Sequence, residues 1–331
     1  MITFKDIEAG RERIAGAVFQ TACSRSIPLI EISGMEIFCK FDNAQRTGSF
    51  KERGARNALA QLSPDQKKRG VIAASAGNHA QALAYQGKLL GVPATVVMPQ
   101  YAPLIKITNC QKLGANVVLH GHDFAHAKAR AHELAAEKGL AYIDGYDDPA
   151  IIAGQGTMGI EIINQVKDVD AVVVPVGGGG LVAGVSLAVK NLRPQTKVIA
   201  VEAENVASFS AAMKAGKPTK INLQPSLADG LSIPQVGANA FKIAREHVDQ
   251  TMTVNEEQIA IAILRLVELE KTVVEGAAAT PLAAVLSEKL SELAGKRVVL
   301  LLCGGNIDPN ILGRVIERGL VADAGRADSP R

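Results

Sequence analysis

The sequence predicts an α/β fold, and three observations point to it. From Val71 onward, short β-branched runs alternate with longer apolar-striped stretches, the pattern of a parallel sheet wrapped by helices. One of these runs, Ala171–Val176, passes through four consecutive glycines into a helical pattern, the turn of a buried strand into a helix. With 331 residues, 47% of them hydrophobic, the chain can bury a large core and is long enough for two domains.

Taken in order, Val71–Ser75, Ala94–Pro99, Asn116–His120 and Ala141–Asp144 read as strands. Helical patterns at Asn78–Leu90, Leu104–Leu113 and Asp123–Lys138 separate them. A second alternation follows: strand Ala171–Val176, helix Leu181–Leu192, strand Lys197–Glu202 and helix Phe209–Lys214, then a less regular stretch from Pro218 to Pro234. Helical patterns at Glu256–Glu270 and Pro281–Leu293, a strand Arg297–Cys303 and a closing helix from about Pro309 to Glu317 complete the reading. Residues 322–331 are small and polar, the composition of a frayed tail.

Lys plus Arg exceed Asp plus Glu by 36 to 33, and neither sign forms a long run, so nothing calls for nucleic acid. The chain has no Trp, four Tyr and eight Phe, too few aromatics for a stacking platform. No apolar run reaches the length of a membrane span, and the N-terminus lacks the apolar core of a signal peptide. Cys23, Cys39, Cys110 and Cys303 are scattered without a C-x-x-C pair, which argues against zinc and disulfides and for a reducing cytoplasm. His120, His122, His126 and His132 are irregularly spaced without nearby thiolates, and read as a solvated surface rather than as metal ligands.

Three segments carry chemistry. In Thr47-Gly48-Ser49-Phe50-Lys51-Glu52-Arg53-Gly54, a lysine sits where a helix begins, with Ala55, Ala58 and Leu59 following at helical spacing. A lysine is ordinarily a solvated charge, but burial would lower its pKa and make it a nucleophile toward carbonyls. Ser75-Ala76-Gly77-Asn78-His79 is a polar turn leading from strand to helix. Gly177-Gly178-Gly179-Gly180 followed by Leu181 can turn backbone N–H groups inward at a helix N-terminus, a nest for a phosphate. The same loop satisfies a loose dinucleotide pattern, Gly178-x-Gly180-x-x-Ala183, with Glu202 placed as a ribose-binding acid. That nicotinamide dehydrogenase reading leaves Lys51 and Ser75–His79 without roles.

Together with Ile152-Ala153-Gly154-Gln155-Gly156-Thr157, Ala228-Asp229-Gly230 and Gly304-Gly305-Asn306, these segments resemble the serine/threonine dehydratases. That group belongs to the pyridoxal-phosphate enzymes of the tryptophan synthase β-subunit type, and the likeness runs in order from about Phe4 to about Arg318. The resemblance implies fold type II: two open twisted sheets flanked by helices. It further implies a large cofactor-binding domain over 1–69 and 148–321 and a small mobile substrate-binding domain over 70–147. Relatives are homodimers or homotetramers.

On this resemblance Lys51 holds the aldehyde of pyridoxal 5'-phosphate and removes the substrate α-proton. Gly177, Gly178, Gly179, Gly180 and Leu181 hold the phosphate. Asn78 bonds the ring hydroxyl, Phe50 packs near a ring face, Gly230 and Gly304 line the cofactor, Glu275 is an acid near the ring, and Cys303 places a neutral thiol beside the pyridine nitrogen. Ser75, Ala76, Gly77, Asn78 and His79 receive the substrate carboxylate, with His79 equally readable as a structural histidine.

Two departures separate this chain from serine racemases of the fold. Ala76 stands where they carry a second, serine base, and Ser208 stands where they carry the Asp that partners a Glu, here Glu202, on a divalent ion. The implied activity is therefore deamination of L-threonine to 2-oxobutanoate and of L-serine to pyruvate, with no metal. A lyase for 3-hydroxyaspartate or another β-substituted amino acid, a serine racemase, and a non-catalytic amino-acid-binding protein are the alternatives. The chain ends soon after the core, so a C-terminal regulatory domain and feedback by isoleucine are not expected.

Overall fold

The computed structural model describes residues 2–327. Among these residues ten strands form two sheets. The larger is six-stranded, in the order β1 (Cys23–Arg25), β2 (Glu36–Lys40), β10 (Arg297–Leu301), β7 (Ala171–Pro175), β8 (Lys197–Ala203), β9 (Gln250–Val254), parallel throughout except for antiparallel β1. The smaller has four parallel strands in the order β5 (Asn116–Leu119), β4 (Ala94–Met98), β3 (Val71–Ala74), β6 (Ala141–Tyr142). Helices flank both. The strands of the smaller sheet all fall between Val71 and Tyr142, and those of the larger lie before and after.

Strands β7 and β10 read as near-continuous apolar runs because helices cover both faces. At the centre of the larger unit, helix Pro149–Gln165 packs on helix Gly180–Leu192. A Cβ on Gly184 would lie 2.3 Å from the Ile152 carbonyl oxygen and 2.6 Å from the Gly156 nitrogen. The two backbones touch there, and glycine is what the contact admits. This helix and β1, β2 and β9 escape a reading by periodicity. The first is broken by glycines, and the strands are short or polar.

Helix Gly276–Leu286 starts before the expected Pro281 and carries that proline inside it. Proline cannot donate to the Ala277 carbonyl, and the Thr280 hydroxyl takes its place at 3.0 Å. The last helix runs Pro309–Ala327, past the expected end at Glu317. The rest of the expected frayed tail, residues 328–331, lies outside the described residues.

A buried ion cluster ties the larger unit together. Arg53 donates to both oxygens of Asp42 at 2.7 and 2.9 Å and to both oxygens of Glu161 at 2.6 and 2.9 Å. Lys40 donates to Glu161 at 2.6 Å, Gln165 at 2.9 Å and the Thr21 carbonyl at 2.7 Å, and the Thr21 hydroxyl donates to Asp42 at 2.6 Å. Burial would raise the Asp42 pKa, but the Arg53 charge holds it below the usual carboxylate range. Removing one partner of such a set strands the other charge in a dry interior. Asp42→Asn is therefore expected to lose about 3–5 kcal/mol of unfolding free energy in a urea titration.

Candidate functional site

A cavity of about 370 Å³ is lined from both units. From the larger come Phe50 and Lys51, Gly177–Leu181, Asp229–Leu231, Glu275, Cys303 and Asn306. From the smaller come Ala74–His79, Ile105, Lys106, Asn109, Tyr142 and the turn Asp144–Tyr146. All the residues that the resemblance assigns to cofactor or substrate line this cavity except Gly304, which lies behind Glu275: a Cβ there would meet Glu275 Oε1 at 2.5 Å.

Lys51 opens helix Lys51–Ala60. The turn before it is stitched to the chain end of β10: Phe50 N–H donates to the Cys303 carbonyl at 2.9 Å, and Gly305 N–H to the Gly48 carbonyl at 2.9 Å. Thr47 N–H is accepted by Glu52, whose other oxygen accepts from Gln86 at 3.1 Å. Lys51 Nζ donates to the Gly145 carbonyl. Burial lowers its pKa to about 8, against the attraction of Asp144 above all. The amine is thus neutral in a usable fraction near pH 8.

β7 leads into the glycine loop, and helix Gly180–Leu192 follows. Gly178, Gly179, Gly180 and Leu181 line the cavity, and their N–H groups find no acceptor among the described residues. Four such donors in one helix-opening turn fit an anion. The loop has no room for side chains: a Cβ on Gly178 would stand 2.3 Å from the Tyr146 ring, and one on Gly180 2.3 Å from the Tyr146 carbonyl oxygen.

Asn78 begins helix Asn78–Leu90. Its Nδ2 donates to Glu275 at 2.8 Å and its Oδ1 accepts from Asn306 Nδ2 at 2.8 Å, so the amide is braced between two segments of the larger unit. Burial and the nearby Asp229 raise the Glu275 pKa to about 7, against the Asn78 hydrogen bond. Burial raises the Cys303 thiol well above its ordinary pKa, so it stands neutral. His79 is buried, with Nε2 donating to the Ile143 carbonyl at 3.1 Å; burial and the Lys51 charge lower its pKa to about 4, and the ring is neutral. At the turn before it, Gly77 N–H donates to the Ser75 hydroxyl at 3.2 Å.

Glu202 does not face a ribose site. Its carboxylate accepts from Phe209 N–H at 2.7 Å and from Ser210 N–H and hydroxyl at 2.8 and 2.6 Å, serving the start of helix Ser208–Ala215. Among the four histidines of the strand-to-helix region, His126 pairs with Asp123 at 2.8 Å and His132 stacks on Tyr142 at 4.0 Å. Sequence reasoning missed Asp144, Gly145, Tyr146 and the bracing role of Asn306. The first three sit in a turn without periodicity, where a run of three aspartates around Tyr146 was the available signal.

The family model described as pyridoxal-phosphate dependent enzyme matches residues 14–304. The L-threonine ammonia-lyase of Thermotoga maritima is 46% identical over 321 residues, 97% of this chain and 80% of the relative. The catabolic L-threonine dehydratase TdcB of Escherichia coli K12 is 42% identical over 308 residues, 93% of this chain and 94% of the relative. Among solved structures, the processed form of threonine deaminase isoform 2 from Solanum lycopersicum superposes with a TM-score of 0.91 at 36% identity, over 96% of this chain and 87% of that one.

Glu275 gives this site a pH signature. Its folded pKa lies above the unfolded value, so the native state binds more protons and stability falls as pH rises from about 4.5 toward 7. Glu275→Gln keeps an acceptor for Asn78 but cannot ionise. The cofactor-free variant is expected to melt above the wild-type protein at pH 8 and to lose that advantage at pH 5, as read by calorimetry.

Proposed function

The chain belongs to the pyridoxal-phosphate dependent enzyme family, and on that premise we propose that it is an L-threonine ammonia-lyase that also deaminates L-serine. Supporting this are the 46% identity to an L-threonine ammonia-lyase across 97% of the chain and a buried lysine amine in one cavity with four unpaired amides. Pyridoxal phosphate supplies the electron sink for the charge left at the substrate α-carbon.

The residues fit that group. The N–H groups of Gly178 to Leu181 would hold its phosphate, and Lys51 its aldehyde. Phe50, Asn78, Gly177, Gly230, Glu275, Cys303 and Gly304 would surround or support the ring. The neutral Cys303 thiol would leave the ring nitrogen without the charge a carboxylate provides, which suits prompt loss of a β-substituent.

Lys51 Nζ, neutral in part near pH 8, would take the α-proton. The opening turn of helix Asn78–Leu90, with the Ser75 hydroxyl, would receive the substrate carboxylate, and His79 would hold that turn to Ile143. Loss of the β-hydroxyl as water leaves an enamine, which tautomerises and hydrolyses to 2-oxobutanoate and ammonia. Ala76 has no proton to give on the opposite face, so elimination prevails over racemisation.

The 70–147 unit would close on bound substrate, with the Lys106–Asp229 ion pair at 3.1 Å spanning the mouth. A homodimer or homotetramer accords with Ile27 and Ile32 standing exposed on one short helix, and a reducing cytoplasm with four unpaired cysteines.

Purified protein with pyridoxal phosphate is expected to show a visible band near the blue edge and to release 2-oxobutanoate from L-threonine and pyruvate from L-serine. Lys51→Ala is expected to lose both. Release confined to 3-hydroxyaspartate, or formation of D-serine without oxo acid, would overturn the substrate assignment. Gly178→Ala, which drives a methyl into Tyr146, is expected to weaken cofactor affinity at least tenfold in an equilibrium titration, about 1.4 kcal/mol.

A further inference from the structure

The turn Asp144–Asp148 joins Lys51 to the glycine loop and to two helix starts. The Gly145 carbonyl accepts from Lys51, the Tyr146 ring lies against Gly178, and Asp147 accepts from Ala238 and Ala240 at the start of helix Ala238–His247. Asp148 caps helix Pro149–Gln165. The shape of this turn is set by Asp144. Its Oδ1 accepts from the N–H groups of Tyr146 at 3.1 Å and Asp147 at 3.0 Å, and its Oδ2 accepts from Lys128 of helix Phe124–Lys138 at 3.1 Å.

We propose that Asp144 is a positioning residue for Lys51: it holds the Gly145 carbonyl against the amine, and its charge, shared between Lys128 and Lys51, sets how much of the amine is neutral. The inference rests on the role given to Lys51 above. The other groups facing the amine are Cys303, Glu275 and His79. Those facing Asp144 are Lys128, Tyr142, Tyr146, Asp147, Asp148 and His79. Cys303 and His79 are neutral at pH 7, and Glu275 titrates near it. Burial acts to raise the Asp144 pKa, but Lys128 and the two N–H groups outweigh it and keep it below the usual range. Among the groups facing Lys51, Asp144 is therefore the one whose negative charge persists through the working pH.

Two substitutions separate charge from shape. Asp144→Asn keeps the Oδ1 acceptor for both turn N–H groups and removes the charge. Lys128→Met removes the competing cation and leaves Lys51 as the remaining one beside Asp144. The two push the amine in opposite directions.

The test follows the pH dependence of two rates in the cofactor-free full chain. One is attachment of pyridoxal phosphate, read from the visible band. The other is reductive methylation of Lys51 by formaldehyde and borohydride, read by mass spectrometry. Asp144→Asn is expected to move both midpoints down and to speed both reactions about threefold at pH 7; Lys128→Met is expected to move them up and to slow both by a similar factor. Unmoved midpoints in variants that unfold like wild type would overturn the proposal. If Asp144→Asn does not fold, Lys128→Met decides alone: an upward shift supports it and none overturns it. Covalent attachment that survives Lys51→Ala would instead overturn the role given to Lys51, a result distinct from either.

Discussion

The structure depends on the buried cluster of Arg53, Asp42, Glu161 and Lys40. Two cations and two carboxylates share one dry interior, and every guanidinium donor of Arg53 has an acceptor among Asp42, Glu161 and Thr157. A set so completely paired offsets the cost of desolvating its charges, whereas a looser one would not. Its members come from β2, the turn that follows, helix Lys51–Ala60 and helix Pro149–Gln165. Because Arg53 lies two residues beyond Lys51, the cluster fixes the direction in which that helix enters the cavity. The lysine amine can be precise in position because its helix is anchored by charges it never meets.

Around the cavity the same low dielectric acts on groups of both signs. It lowers Lys51 and raises Glu275, bringing an amine and a carboxylic acid toward the same pH from opposite sides. Burial also keeps the Cys303 thiol protonated and the His79 imidazole neutral. Among the groups facing Lys51, Asp144 is held ionised by Lys128 and two turn N–H groups.

Much of this was legible in the sequence because the chemistry sits at transitions between elements. Lys51, Asn78 and the Gly177–Gly180 loop each lie where a polar or glycine turn opens a helix, and such turns have local signatures. The alternation from Val71 to Asp144 gave the smaller sheet strand by strand. Elements shaped by tertiary contact were opaque: helix Pro149–Gln165 carries glycines that its partner helix demands, and Gly276–Leu286 hides Pro281 because Thr280 takes over the missing hydrogen bond. β9, Gln-Thr-Met-Thr-Val, has its polar residues on a sheet edge and no run to betray it. The turn at Asp144–Tyr146 could be found only once distant segments were brought together.

Dependence on pyridoxal phosphate has a consequence beyond catalysis. A cofactor that binds the native state alone shifts the folding equilibrium toward that state by mass action. Chains that meet pyridoxal phosphate soon after synthesis would be withdrawn from the pool that opens to proteases. Those that do not would be turned over faster. The amount of this enzyme in a cell would then track the supply of its cofactor, without any transcriptional signal.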